Sequence, residues 1–189
     1  LNIKSFKEPN LINKIVYRYF RKSKAHRSFE YANYLLNNTI GTPKPVAYFE
    51  NSSLLGLKDS YYVSEHLNCD LTYRELVETD YPDAENILRQ FTQFTFSMHE
   101  KGVEFLDHSP GNTLIVKKGN GLYDFYLVDL NRMQFKNLNI VERMDNFKKM
   151  WLSKQMIRVV AAKYAHLSNQ SEIKLHSILL YKSTQFKRK

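Results

Sequence analysis

The stretch Phe105–Val116, FLDHSPGNTLIV, begins and ends apolar, as a strand entering and a strand leaving would. Between its ends D-x-S-P-G-N gathers turn-forming residues, with one acid, Asp107, at the front. Downstream, Thr113–Lys118 and Tyr123–Val128 alternate and are joined by G-N-G, a hairpin turn composition. Asp129 follows in L-V-D-L-N, just past the second apolar strand. The order is therefore acid, turn, asparagine, strand, turn, strand, acid.

Working outward, Leu1–Phe6 (L-N-I-K-S-F) alternates and predicts a strand, which Pro9 and Asn10 end. From about Lys24 to Asn37, Phe29, Ala32, Leu35 and Leu36 recur at helical spacing, and Asn37, Asn38 and Gly41 stop the helix. T-P-K-P is extended, because proline biases the residue before it away from helix. Val46–Glu50 and Ser60–Glu65 predict two strands around a Ser/Gly loop, and Leu71–Val77 a short helix with Thr72 near its start. Pro82–Lys101 carries the strongest helix signal: Ile87, Leu88, Phe91, Phe94, Thr95 and Met98 share one face, and Gly102 stands just past the end. Phe147, Met150, Trp151, Ile157, Val160, Ala161 and Tyr164 predict one long helix, and a basic helix follows around 170–184. The class is α+β, with a sheet segregated from a helical part and a division near 67/68.

Composition bounds the function. The chain has 189 residues and a single cysteine, Cys69, which excludes an internal disulfide and a multi-cysteine zinc site and makes a reducing compartment the default. No run of about 18 apolar residues exists to span a bilayer. The formal charge is +9 and uneven: residues 144–189 hold ten Lys/Arg against Asp145 and Glu172. A second basic cluster comprises Lys14, Arg18, Arg21, Lys22, Lys24 and Arg27. Such faces suit anionic lipid, nucleic acid or phosphorylated substrates, or simply keep a protein in solution.

Phosphoryl transfer to a hydroxyl needs a carboxylate beside the attacking oxygen, and oxygen ligands for the metal that bridges the phosphates. Kinase-like folds place the first acid and an asparagine on one loop, five residues apart, and the metal aspartate beyond the next hairpin. Asp107, Asn112 and Asp129 have that arrangement. An Asp with Asn five residues on is weak by itself; with Pro110, the hairpin and Asp129 it becomes fairly specific.

D-H-S-P-G-N…V-D-L resembles the catalytic loop and metal-binding segment of the protein-kinase-like superfamily, in its small-molecule and sugar-kinase branch. The closest resemblance is to the lipopolysaccharide core kinase family, whose members phosphorylate Kdo or heptose. I-K-S-F, R-K-S-K-A-H-R-S-F-E-Y-A-N-Y-L-L, G-T-P-K-P-V-A-Y-F-E and Y-Y-V-S-E-H-L support it, in the family's order, over roughly residues 1–135. The resemblance implies a two-lobed fold: a sheet lobe at 1–67, without the family's first strands and glycine-containing phosphate loop, and a helical lobe at 68–189. It implies ATP and Mg2+ as cofactors. Lys4 matches the strand lysine on the α- and β-phosphates, and Glu30 the helix glutamate that pairs with it. Glu65, by its carbonyl, and Leu67, by its N–H, match the hinge positions that hold adenine. Asp107 matches the base for the acceptor hydroxyl, with its carboxylate free of structural partners, and Asn112 and Asp129 match the magnesium ligands. Leu106, where conventional protein kinases carry Arg, argues against a phosphorylation-driven switch. The implied acceptor is an anionic glycolipid at the cytoplasmic face of the inner membrane, held by the basic clusters, with no nucleic-acid partner. Two alternatives stay open: a kinase of another small molecule or of protein on the same fold, and a non-enzymatic basic domain binding nucleic acid or membrane. His99 and His108 are not expected to be ligands.

Overall fold

A computed structural model describes residues 1–7, 22–53 and 56–188. Its contacts divide the chain into two units, Leu1–Leu67 with Asp129–Asn131, and Asn68–Val128 with Arg132–Lys189.

In the first unit the opening alternation forms strand β1, Asn2–Phe6, and the pair expected around the Ser/Gly loop forms β2, Pro45–Ser53, and β3, Gly56–Ser64. They make one antiparallel sheet in the order β1-β3-β2, with Lys4 opposite Tyr62. Burial pushes the Tyr62 hydroxyl up to about 12. Helix α1, Lys24–Asn37, starts where Ser23 accepts a hydrogen bond from the His26 N–H at 3.0 Å. The His26 ring stacks on Tyr48 at 4.5 Å and Phe29 tilts against the same ring at 5.4 Å, so one tyrosine of β2 holds the helix to the sheet. Ala25, Ala32 and Leu35 are fully buried beneath it. The helix ends as Thr39 turns at φ +55 and the Ile40 N–H donates back to the Leu35 carbonyl at 2.8 Å.

The basic cluster of 14–27 is only partly a surface feature. Lys14, Arg18 and Arg21, like the Pro9–Asn10 break, lie outside the described residues. Lys22 is paired with Glu30, and Arg27 is buried, its Nε directed to the Ser23 carbonyl at 3.4 Å.

The second unit begins with a two-residue strand, β4, Leu71–Thr72, and a short helix, α2, Tyr73–Glu78. Thr72 and Glu75 form a capping box, Glu75 taking the Thr72 N–H at 2.9 Å. Helix α3, Ala84–Glu100, buries Ile87, Leu88, Phe91, Thr95 and Met98, while Phe94 is half-buried against Phe125. Gly102 follows at φ +67, and a Cβ there would lie 3.0 Å from the Lys136 carbonyl oxygen, so both the turn and the close approach require glycine. Strand β5, Val103–Phe105, leads to a single 3-10 turn at Pro110–Asn112. The hairpin is β6, Thr113–Gly119, and β7, Leu122–Leu127, closed through Gly119, Asn120 and Gly121, all at positive φ. A last strand, β8, Met133–Phe135, pairs antiparallel with β5.

The helix expected over Phe147–Tyr164 starts only at Lys154, and a short helix that the sequence reading did not include precedes it. This short helix, α4, Ile140–Asp145, is capped by an Asn139/Glu142 capping box. Residues 146–153 then turn, with Trp151 at φ +57 and 62% exposed, before helix α5, Lys154–Ser168, starts at the Ser153 cap. Phe147 and Met150 are fully buried, but as anchors of that turn rather than as helix positions. Helix α6, Glu172–Lys187, closes the chain. Phe91 sits at the centre of the unit's core, its ring 4.6 Å from Tyr73, 5.4 Å from His108 and 5.7 Å from Phe125.

Candidate functional site

Asp107 is the second turn residue past β5, and the approach to it is held at three successive carbonyls. The Phe105 carbonyl accepts from the Asn146 Nδ2 at 2.8 Å and from the His108 N–H at 3.2 Å. The Leu106 carbonyl accepts from the Lys149 Nζ at 2.7 Å, and the Asp107 carbonyl from the Asn112 Nδ2 at 2.8 Å. The Leu106 N–H donates to the Arg132 carbonyl at 3.0 Å, which carries the β5–β8 pairing one residue further. The five-residue spacing of Asp107 and Asn112 is thus the span one side-chain amide closes. It commits Asn112 Nδ2 to the loop and leaves its Oδ1 as the atom available to a cation.

Behind the loop runs a buried relay. Asn146 donates through Nδ2 to Phe105, so its Oδ1 must accept; it lies 3.1 Å from His99 Nε2. His99 Nε2 is therefore the protonated nitrogen, and Nδ1 accepts from the Tyr164 hydroxyl at 2.9 Å. Burial lowers the His99 pKa to about 4, with Arg143 adding to the effect, so the ring stays neutral. His108, between the rings of Phe91, Phe105 and Phe147, is pushed down to about 3 by burial. Both histidines are buried core groups.

The Asp107 carboxylate has partners, contrary to the expectation that it would be free. Its Oδ1 accepts from the Lys149 Nζ at 3.1 Å and from the Arg132 Nη1 at 3.2 Å. Both cations reach the same oxygen, and Oδ2 has no partner among the described residues. The sequence reading missed both because neither belongs to the loop. Lys149 is brought by the turn that replaces the start of the expected long helix, and Arg132 by the residues just before β8.

In the first unit Lys4 and Asp129 form an ion pair at 2.5 Å, half-exposed on both sides. Asp129 Oδ1 also accepts from the Asn131 Nδ2 at 2.7 Å. Asp129 has φ +63, a left-handed conformation that aspartate tolerates better than most residues. The Lys4–Glu30 pair is not formed. Glu30 is taken by the Lys22 Nζ at 2.5 Å and the His26 Nε2 at 3.4 Å, which lowers its pKa, chiefly through the hydrogen bond from Lys22. The reason is local: His26 stands one helical turn before Glu30, and Lys22 sits just outside the helix start, so both reach it without crossing the sheet. Glu65 lies just past β3, its N–H donating to the Lys44 carbonyl at 2.8 Å and its carboxylate 3.5 Å from the Lys44 Nζ. Leu67 is the last residue of the first unit's long segment.

Among the described residues no group of three or more His, Cys, Asp or Glu is gathered for a metal ion. The free oxygens of Asn112 and Asp129 are of the kind magnesium takes. No described helix is long and apolar enough to cross a membrane. The basic tail is partly engaged internally: Lys148 and Lys182 pair with Asp145, and Lys187 donates to the Leu152 carbonyl at 2.9 Å.

No family model matches the sequence, and no curated protein matches it. Among solved structures, WaaP in complex with acyl carrier protein is similar, with a TM-score of 0.66 at 15% identity, over 87% of this chain and 76% of that one. The chain shares the WaaP fold, a mixed α and β architecture in keeping with the class read from the sequence.

Proposed function

We propose that the protein is an ATP-dependent kinase that phosphorylates a sugar hydroxyl of the lipopolysaccharide inner core, on Kdo or heptose. The observation that carries this reading is the loop at Asp107. A carboxylate is held through its backbone at three carbonyls and through one of its own oxygens, with the other oxygen uncommitted. That leaves Oδ2 as the atom an acceptor hydroxyl could meet. The motif resemblance to the lipopolysaccharide core kinases and the fold shared with WaaP support the same reading.

In this mechanism ATP supplies the phosphoryl group and Mg2+ offsets its charge when bound. Asn112, by Oδ1, and Asp129, by its carboxylate, are the residues that would hold the metal. Lys4 sits on the phosphates, and its present pairing with Asp129 keeps the ammonium beside the metal carboxylate. Glu65 and Leu67 offer backbone groups to adenine. Asp107 Oδ2 would accept the hydrogen bond of the acceptor hydroxyl, align it for attack and take its proton as the bond from the acceptor oxygen to the γ-phosphorus forms and the bond from that phosphorus to the bridging oxygen breaks, ADP being the leaving group. The exposed basic side chains of the tail hold an anionic glycolipid at the inner face of the membrane, each well-placed Lys or Arg contributing about 1 kcal/mol.

Asp107→Asn tests the reading. The substitution is nearly isosteric, so Mg-ATP affinity should hardly move and melting temperature should fall by only the few degrees that two partly exposed ion pairs are worth, while transfer falls by about 10² or more. Turnover is followed with labelled phosphate on Kdo-lipid A, heptosylated core and, for other acceptors on the same fold, aminoglycosides. Full turnover with Asn at 107 would end the mechanism.

A further inference from the structure

Asp107 Oδ1 receives two cations and Oδ2 none. A carboxylate on a turn can rotate about χ2 and present either oxygen to solvent. Two donors on the same oxygen remove that freedom. The two are not equivalent: Lys149 is the more enclosed, its side chain 27% exposed against 56% for Arg132. Lys149 also holds the Leu106 carbonyl at 2.7 Å, so one ammonium fixes both the peptide before Asp107 and the carboxylate itself. Its direction is set from within. It lies in a turn closed by the Met150 N–H donating to the Phe147 carbonyl at 2.9 Å, with both of those side chains fully buried. Its neighbour Lys148 turns instead to Asp145 at 2.5 Å, so adjacent lysines serve different partners.

Resting on the kinase reading above, we propose that Lys149 is a positioning residue for the catalytic base: it holds Asp107 so that Oδ2 alone faces the acceptor hydroxyl. Arg132 supports the same oxygen from the exposed side. Lys149 is not itself required to touch nucleotide, acceptor or metal.

The test compares Lys149→Met, Lys149→Arg, Asp107→Asn and the double variant Lys149→Met/Asp107→Asn. Melting temperature, Mg-ATP affinity, and kcat and KM for the acceptor are measured on each. Lys149→Met should lower kcat by roughly ten- to a hundred-fold, the scale on which a displaced reacting group costs rate, with Mg-ATP affinity changed less than about twofold. Lys149→Arg, which offers donors to both the carbonyl and the carboxylate, should recover most of that loss. In the Asp107→Asn background Lys149→Met should cost clearly less than in the wild type, because both of its contacts, to the Leu106 carbonyl and to the carboxylate, serve to place the group that Asp107→Asn has already disabled. A kcat loss in Lys149→Met that merely tracks unfolded protein, or the same fold-loss with and without Asp107→Asn, would overturn the positioning role and leave the kinase reading standing. An Asp107→Asn variant as active as wild type would overturn the kinase reading instead, and the inference with it. If Lys149→Met does not fold, Lys149→Gln and the same double variant answer the question.

Discussion

The two buried imidazoles should make the protein acid-labile well above the range where carboxylates titrate. In the unfolded chain both rings titrate near 6.5, whereas in the fold burial holds His99 at about 4 and His108 at about 3. Between those values the unfolded state binds more protons than the folded one, so stability is fully present above about 6.5 and falls as the pH drops. Integrating one such group from pH 7 to pH 5 gives about 2 kcal/mol, and the pair about 4 kcal/mol. That is a large part of the 5–15 kcal/mol typical of a domain. Urea unfolding at pH 7, 6 and 5 reads the loss directly. His99→Gln, with Gln able to donate to Asn146 in place of Nε2, removes one titrating ring and should halve the pH slope even if it lowers stability at pH 7. The reasoning is refuted if stability is level between pH 7 and pH 5, or if the His99 ring is found protonated by NMR in the folded protein at pH 6.

Three further outcomes follow from other parts of the molecule. Asp129→Ala should abolish transfer and weaken Mg-ATP binding by calorimetry while costing roughly 1–3 kcal/mol of stability, from the half-exposed pair with Lys4, the Asn131 bond and the φ of +63 that alanine tolerates less well; unchanged binding would remove Asp129 from the metal site. Gly102→Ala should destabilise by roughly 1–3 kcal/mol, because it combines φ +67 with a Cβ 3.0 Å from a backbone oxygen, and a melting temperature equal to wild type would contradict that geometry. Trp151 is the chain's single tryptophan and is 62% exposed beside Lys148, Lys149 and Lys154, so its emission should shift to the blue on anionic vesicles and not on neutral ones; identical spectra on both would count against membrane docking through this face.

Much of the fold was legible because period and punctuation agreed. β1, α1, α3 and the β6–β7 hairpin lie within a residue or two of where alternation, helical spacing, Gly102 and G-N-G put them. The long helix over Phe147–Tyr164 failed for a physical reason. Phe147 and Met150 are three residues apart, a spacing shared by a helix face and by a turn that buries both ends. Two signals pointed to the break: N-I-V-E, the capping-box pattern at Asn139–Glu142, and Ser153 before a fresh apolar run. At the site, Asp107 and Asn112 were legible as a pair because one side chain closes the loop on the other's backbone. Lys149 and Arg132 were not, since what brings them to Asp107 is the tertiary packing of distant turns. The Lys4–Glu30 pairing was carried by the resemblance alone, and Lys22 and His26, both close in sequence to Glu30, took its place.

Asp129–Asn131 belongs by its contacts with Leu1–Leu67, although the chain on either side of it belongs with the rest. Cutting the protein after Leu67 would therefore not yield two self-sufficient pieces. A 1–67 fragment would leave the Lys4 ammonium without its carboxylate, and the remainder would carry Asp129 without its lysine. Mixing the two fragments should thus behave as a complementation experiment, in which recovery of nucleotide binding measures how strongly three residues borrowed from the far end of a hairpin knit the polypeptide together.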